Sequence, residues 1–151
     1  AGGVGTAPVY PIARAFHELG CRVTTIQGAR SKDLLFWTDR IAAVSDEHII
    51  TTDDGSFGRR GLVTEPLGEL LKSGGDKQVD CVYAIGPAIM MKFCALTTQP
   101  FGVPTTVSLN SIMVDATGMC GACMVPVTID GKMVRRHACI DGPELDAHLI
   151  E

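Results

Sequence analysis

Asp115, Cys120, Cys123 and Cys139 stand near the end of this 151-residue chain in the spacing D-x4-C-x2-C…C. Thiolates spaced C-x4-C-x2-C with a distant fourth cysteine hold plant-type [2Fe-2S] centres, because a tight loop wraps one iron while a returning strand reaches the other. Here Asp115 stands where the first thiolate would be. Asp115 and Cys120 can serve one iron and Cys123 and Cys139 the other, a pairing that spacing alone leaves open. Gly118 and Gly121 let loop amides approach the sulfides and tune the potential.

The same donors admit other chemistry. Three thiolates with Asp115 or His137 would complete a structural zinc tetrahedron. A thioredoxin-like dithiol at Cys120-Gly-Ala-Cys123 fits poorly, because that motif opens a helix and here a strand follows. The second chemistry-bearing run is Gly2-Gly3-Val4-Gly5-Thr6-Ala7-Pro8. Glycines admit a pyrophosphate to the backbone, and the helix that follows offers free amides and its positive end. Gly86-Pro87, at the end of a later apolar run, marks a second loop that can face the same ligand.

These residues need elements to carry them. Apolar residues recur at helical spacing over residues 6–19, with Pro8 and Pro11 expected near the first turn and Gly20 as the stop. Residues 22–27 read as a strand with 28–31 as its exit loop, residues 39–44 as a short helix, and 48–52 as a second strand ahead of the turn formers 53–58. Thr64 and Pro66 open a helix that uses Leu67, Leu70 and Leu71 and stops at Gly74-Gly75. Residues 81–85 form an apolar strand of the kind buried on both faces of a parallel sheet. A helix follows to Leu96 with Ile89, Met90, Phe93 and Leu96 on its apolar side, then a strand over 105–109. The alternation predicts a right-handed parallel α/β sheet.

Beyond Asn110 the pattern changes to a cysteine loop and a hairpin. Val125, Val127 and Ile129 alternate, and Asp130-Gly131 is a type I′ turn signal. Pairing residue 129 with 132 sets Cys123 opposite Ala138, so that Cys139 lies beside the loop. Pro126 must then occupy a bulge or turn its missing donor outward. The expected division is a nucleotide-binding domain over 1–110 and a cluster-binding domain over 111–151.

Composition narrows the class. With 46% hydrophobic and 20% charged residues the chain is globular, and no apolar run spans a bilayer. A net charge of -4 argues against nucleic acid. Arg59-Arg60 and Arg135-Arg136 read as solvated pairs on loops or strand edges. No signal peptide is visible, so the six cysteines point to a reducing cytoplasm, with Cys21, Cys81 and Cys94 as small buried hydrophobes. The glycine turn at the start has no strand before it, and the chain reads as part of a longer polypeptide.

The motifs GGVGTAP, TTDDGSFGRRGLVT, YAIGPAIMMK and MVDATGMCGACMV…HACIDGPELD resemble, over essentially the whole chain, the ferredoxin-NADP reductase-like electron-transfer subunits. That family includes the dihydroorotate dehydrogenase electron-transfer subunit. The nearer branch is the small (alpha) subunit of NADH-dependent reduced ferredoxin:NADP oxidoreductase, also called sulfide dehydrogenase beta subunit, where an aspartate ligand is expected. The resemblance implies a Rossmann-like ferredoxin reductase NAD-binding sheet whose first strand precedes Ala1, plus an N-terminal FAD-binding β-barrel outside this chain.

By the same resemblance, Gly3, Gly5 and Thr6 line the nicotinamide and pyrophosphate, and Gly86, Pro87 and Met90 form the opposite wall. Many relatives carry cysteine where Ile85 stands, so no thiol role in hydride transfer carries over and no catalytic residue is assigned. Asp53 replaces the contact that NADP-dependent relatives direct at the 2′-phosphate; a carboxylate repels phosphate and binds a ribose hydroxyl, which favours NAD(H). The implied function is electron transfer between NADH, FAD and the [2Fe-2S] centre toward a larger flavin and iron-sulfur partner subunit, with ferredoxin and NADP reached through it. This piece is expected to be inactive alone. The alternative is a zinc-stabilised nucleotide-binding or assembly module without redox activity.

Overall fold

The structure is a computed structural model that describes residues 1–74 and 78–150. A 3-10 turn at Gly3–Gly5 runs into α1 (Thr6–Glu18), followed by β1 (Thr24–Ala29), α2 (Thr38–Ala42), β2 (Glu47–Thr52), β3 (Arg59–Arg60), α3 (Thr64–Ser73), β4 (Val82–Ala84), α4 (Ala88–Thr98) and β5 (Thr105–Ser108). The remainder is β6 (Met124–Ile129), β7 (Lys132–His137), α5 (Ala138–Asp141) and β8 (Glu144–Asp146), ending in a 3-10 turn at Ala147–Leu149.

Strands β1, β2 and β3 form one parallel sheet, in that order. Strand β4 lies parallel to β5, and β8 returns antiparallel on the other side of β5. What joins the two sheets is Ala1-Gly2. The Ala1 carbonyl accepts from Gly28 N–H at 2.8 Å, and Gly2 N–H donates to the Ile85 carbonyl at 2.9 Å. Alongside them a cavity of about 640 Å³ separates β1 from β4, lined among others by Ala13, Phe16, Ile26, Leu67, Val82 and Tyr83.

The main core packs α3 and α4 on the β4–β5 pair through Val63, Leu67, Ala84, Met91, Cys94 and Val107, and Ala147 from the far end of the chain joins it. A smaller cluster of Val9, Ile41 and Ile85 seats α1 and α2. Burying such aliphatic side chains contributes roughly 1.5–3 kcal/mol each, which is what draws β8 and its turn onto a sheet otherwise made of earlier residues.

Several expectations need correction. Pro11 lies inside α1, not in its first turn; it forfeits one donor to the Ala7 carbonyl, and the helix continues. Strand β1 runs through Gly28 and Ala29 rather than ending before them, since Gly28 serves close packing: a Cβ there would collide with Val63 and lie 3.2 Å from Thr51 Oγ1. On α4 the buried residues are Met91, Cys94 and Thr98, whereas Ile89, Phe93 and Leu96 are 63%, 51% and 50% exposed. Cys21 and Cys81 are exposed at the ends of elements, and of the three early cysteines only Cys94 is a buried hydrophobe. Helix α3 ends at Ser73 with Gly74 at φ +53°, while Gly75 of the expected stop lies outside the described residues.

The hairpin has the expected register. Ile129 pairs with Lys132 and Met124 with His137, and Ala138 N–H donates to the Cys123 carbonyl at 3.1 Å. Asp130 and Gly131 take φ +51° and +71°, the double positive φ of a type I′ turn. Counting from the bonded 123/138 pair, Pro126 opposite Arg135 falls at a non-bonded position, so its missing donor faces away from β7 and no bulge is needed. No helix among the described residues is long and apolar enough to cross a membrane.

The close packing at Gly28 can be checked by substitution. Gly28→Ala should lower stability by about 1–3 kcal/mol, because the Val63 side chain and the buried Thr51 hydroxyl must both give way. Urea unfolding should show a lower midpoint with an unchanged slope.

Candidate functional site

The nucleotide-type loop sits at the carboxyl ends of the parallel strands. Gly5 N–H donates to the Gly2 carbonyl at 3.0 Å and Thr6 N–H to that of Gly3, so the backbone is already turning before α1 begins. The Gly3 amide turns toward the Gly28 carbonyl in the parallel bridge between Gly2 and Gly28, and the Val4 amide follows it at the start of the turn, where an anion at a helix start finds its donors. Gly3 takes φ +51°. A Cβ on Gly5 would collide with the Ile85 carbonyl, so glycine there lets the first turn of α1 press against the end of β4.

Gly86 and Pro87 lie directly opposite. A Cβ on Gly86 would stand 3.0 Å from Gly2 Cα and 2.8 Å from the Met90 methyl, so Gly2, Gly86 and Met90 close up as one wall. Asp53 is exposed just past β2, with its N–H on the Ala29 carbonyl at 3.1 Å, and thus stands over the ends of β1 and β2. Its neighbour Asp54 accepts from Ser56 Oγ at 2.6 Å and Ser56 N–H at 2.9 Å, which holds its carboxyl below the usual range. Gly3, Gly5, Asp53, Gly86, Pro87 and Met90 therefore share one edge of the fold.

Thr6 differs: only 1% exposed, it turns its hydroxyl into the protein. Gln27 Nε2 lies 3.4 Å from Thr6 Oγ1 and donates to the Phe36 carbonyl at 2.8 Å, and its Oε1 meets His48 Nε2 at 3.1 Å. Gln27 thereby braces the start of α1 from below. Sequence reasoning passed over it and the Val4 amide; a lone amide side chain at the end of the expected strand 22–27 was the available signal.

At the other end, the four expected ligands gather as two pairs. Cys123, 2% exposed at the foot of β6, has its sulfur 3.3 Å from that of Cys139, which the hairpin returns at the start of α5. The Cys139 backbone N–H and then its thiol hold the Cys123 thiol below its ordinary value, and the same contact pushes Cys139 up. Asp115 and Cys120 form the second pair on the exposed loop. Asp115 Oδ1 accepts from Thr117 N–H and Oδ2 from Cys120 N–H, both at 2.9 Å, and these bonds lower its pKa.

Gly118 and Gly121, at φ +81° and +68°, let the loop fold back over the hairpin. A Cβ on Gly118 would collide with Ile140. Among the described residues no three thiol, carboxylate or imidazole groups converge as a ready metal cage. The donor set nonetheless suits an iron-sulfur group: two thiols already meet, and a third stands on the loop beside a carboxylate whose two amide bonds leave lone pairs free.

Residues 110–151 match the iron-sulfur cluster binding domain of dihydroorotate dehydrogenase B. The chain is 50% identical over 150 residues to a Thermotoga maritima protein named as a homolog of the dihydroorotate dehydrogenase B (NAD(+)) electron transfer subunit, covering 99% of this chain and 50% of that one. A probable electron transfer subunit of the same enzyme from Methanocaldococcus jannaschii is 39% identical, with 95% and 52% covered. The chain spans about half the length of the curated relatives it matches. A solved structure of NADH-dependent reduced ferredoxin-NADP oxidoreductase superposes with a TM-score of 0.83 at 46% identity, covering 99% of this chain and 51% of that one. Over residues 110–151 this chain is similar to the iron-sulfur cluster binding domain of dihydroorotate dehydrogenase B, and over nearly its whole length it resembles the ferredoxin reductase-like electron-transfer subunits.

Proposed function

We propose that this chain is the NAD(H)-binding and iron-sulfur half of an electron-transfer oxidoreductase subunit, with Asp115, Cys120, Cys123 and Cys139 holding a [2Fe-2S] cluster. The observation that carries the reading is the hairpin register, which brings the Cys139 sulfur to 3.3 Å from that of Cys123 across the base of the loop. When bound, the cluster supplies one-electron transfer, while nicotinamide and flavin supply hydride chemistry.

The chain's own residues bind and orient. Thiolates from Cys120, Cys123 and Cys139 and the Asp115 carboxylate are the anionic donors, and the loop amides beside Gly118 and Gly121 set the polarity around them. The Val4 amide and the glycine turn at Gly3 receive a pyrophosphate, Gly5 allows its close approach, and Thr6 keeps the helix start in place through its contact with Gln27. Gly86, Pro87 and Met90 form the facing wall. Asp53 accepts from a ribose hydroxyl and repels a 2′-phosphate, so NADH is the nucleotide.

FAD belongs to an N-terminal domain of the intact subunit. The electron acceptor is a larger flavin and iron-sulfur subunit through which ferredoxin and NADP are served, in the cytoplasm. The solved relative named for NADH-dependent reduced ferredoxin-NADP oxidoreductase supports that choice. Domain limits of 1–110 and 111–151 follow the change in texture after Asn110.

Three experiments test this reading. Protein purified without oxygen should carry about two irons and two sulfides per chain and give an EPR signal on reduction; stoichiometric zinc under those conditions would instead favour a structural module. An Asp115→Cys variant should retain the cluster with a shifted potential and altered spectrum, and an unchanged spectrum would remove Asp115 from the ligand set. In the full-length flavoprotein, Asp53→Ser should reduce the preference for NADH over NADPH by about tenfold, the loss of one favourable ribose contact and one repulsion. Equal use of both nucleotides by the unaltered protein would refute the role of Asp53.

A further inference from the structure

The segment from Glu144 to Ile150 touches both halves of the molecule. Strand β8 pairs with β5 through Thr106–Asp146, Val107–Leu145 and Ser108–Glu144. Ala147, 7% exposed, enters the core shared by Ala84, Met91 and Val107. Ile150 bridges back to Val127 of β6, four residues from Cys123. Apolar burial holds such a segment down without fixing its place, because it is non-directional. Direction comes from a buried polar chain.

Thr105 Oγ1 lies 2.6 Å from Thr98 Oγ1, and Thr98 Oγ1 lies 3.0 Å from His148 Nε2. Thr98 is 0% and Thr105 2% exposed. Thr98 also reaches the Ala95 carbonyl at 3.1 Å. A carbonyl can only accept, so a Thr98 that gives its single proton to Ala95 receives one from His148, whose Nε2 then carries the hydrogen. Thr105 Oγ1 also lies 3.0 Å from the Val103 carbonyl, so its single proton is shared between that carbonyl and Thr98, while Thr98 accepts from His148.

The position of this chain matters as much as its bonds. Thr98 is the last residue of α4, and Gly86-Pro87 of the nucleotide wall immediately precede the helix. At 1.5 Å per residue, α4 is a rod of about 16 Å with the nucleotide wall at one end and His148 at the other.

We propose that Thr105, Thr98 and His148 form a latch that holds the cluster-bearing part of the chain against the nucleotide-binding sheet, with His148 as a positioning residue for electron transfer between them. The latch deepens the electron-transfer reading and rests on it only for its consequence; the docking itself is separately measurable.

The test uses the full-length flavoprotein with its cluster, as His148→Leu and His148→Gln variants, since a glutamine amide nitrogen can stand in for Nε2. In the Leu variant the amides of β8 should exchange with solvent about fivefold faster, the equivalent of one lost hydrogen bond of about 1 kcal/mol. Flavin reduction by NADH should keep its rate, passage of electrons from flavin to cluster should slow, and the EPR spectrum of the reduced cluster should not change. Gln should restore both exchange and transfer. Thr98→Val breaks the same chain from the other side and should copy the Leu variant if that protein folds badly.

Unchanged exchange in both Leu and Val variants would overturn the latch. Faster exchange with unchanged electron passage would overturn the positioning role, and so would a changed EPR spectrum, which would tie His148 to the cluster itself. A protein that never holds iron would refute the electron-transfer reading, leaving the exchange measurement to decide the latch.

Discussion

A two-residue turn governs the cluster site. Asp130 and Gly131 both adopt positive φ, a conformation whose twist matches that of the flanking strands and admits one pairing only. Once Ile129 faces Lys132, each step down the ladder is determined, and six pairs later Cys123 meets Ala138. A slip of one residue would turn Val127 out of the core and swing Cys139 away from Cys123 together. The turn, seven residues from Cys123 and eight from Cys139 along the strands, therefore sets which sulfurs come together. It also keeps Pro126 harmless, because the same parity puts its missing donor on the side without a ladder bond.

The second constraint is that a parallel sheet needs both edges satisfied. Strand β5 has β4 on one side, and the chain covers its other side with β8, the only antiparallel member of that sheet among the described residues. Covering the edge brings Ala147 into the core and His148 to Thr98. A change in sequence texture after Asn110 thus marks a change of local pattern, while Glu144–Asp146 belong to the sheet that precedes it and the turn after them packs on its core. The loop and hairpin between them are held at both ends, by β5 before and by β8 after.

Much of this was legible because the signals are local. The periodicity of α1, the strand at 48–52, the opening of α3 at Thr64 and the hairpin turn depend on residues within a few positions of one another, and each forms close to where expected. What escaped was decided at a distance. Strand β3 has two residues, both arginine, and exists because Thr51 and Thr52 offer an edge. Strand β8 has no alternation to read in Glu-Leu-Asp, and its partner is almost forty residues away. The buried side of α4 was misassigned since both faces are apolar, and only the position of α3 and β5 selects Met91 and Cys94 over Phe93 and Leu96. Gly28 looked like a turn residue and proved to be a packing residue, a distinction visible only once Val63 stands over it.

Asp115, the ligand proposed above, organises its own loop. A carboxylate has two oxygens with about four lone-pair sites, and in this structure one site on each oxygen is taken by the N–H groups of Thr117 and Cys120. Those two charge-assisted bonds close the loop 115–120 and favour the anion, which is the form a metal needs. A thiol at the same position, with a weaker acceptor, would not draw in those amides as firmly while protonated. In the proposed role the aspartate would supply loop geometry and a charged donor at once, since its two amide bonds leave further lone pairs unused. That dual use gives a physical reason for a carboxylate to stand in a run otherwise built from sulfur.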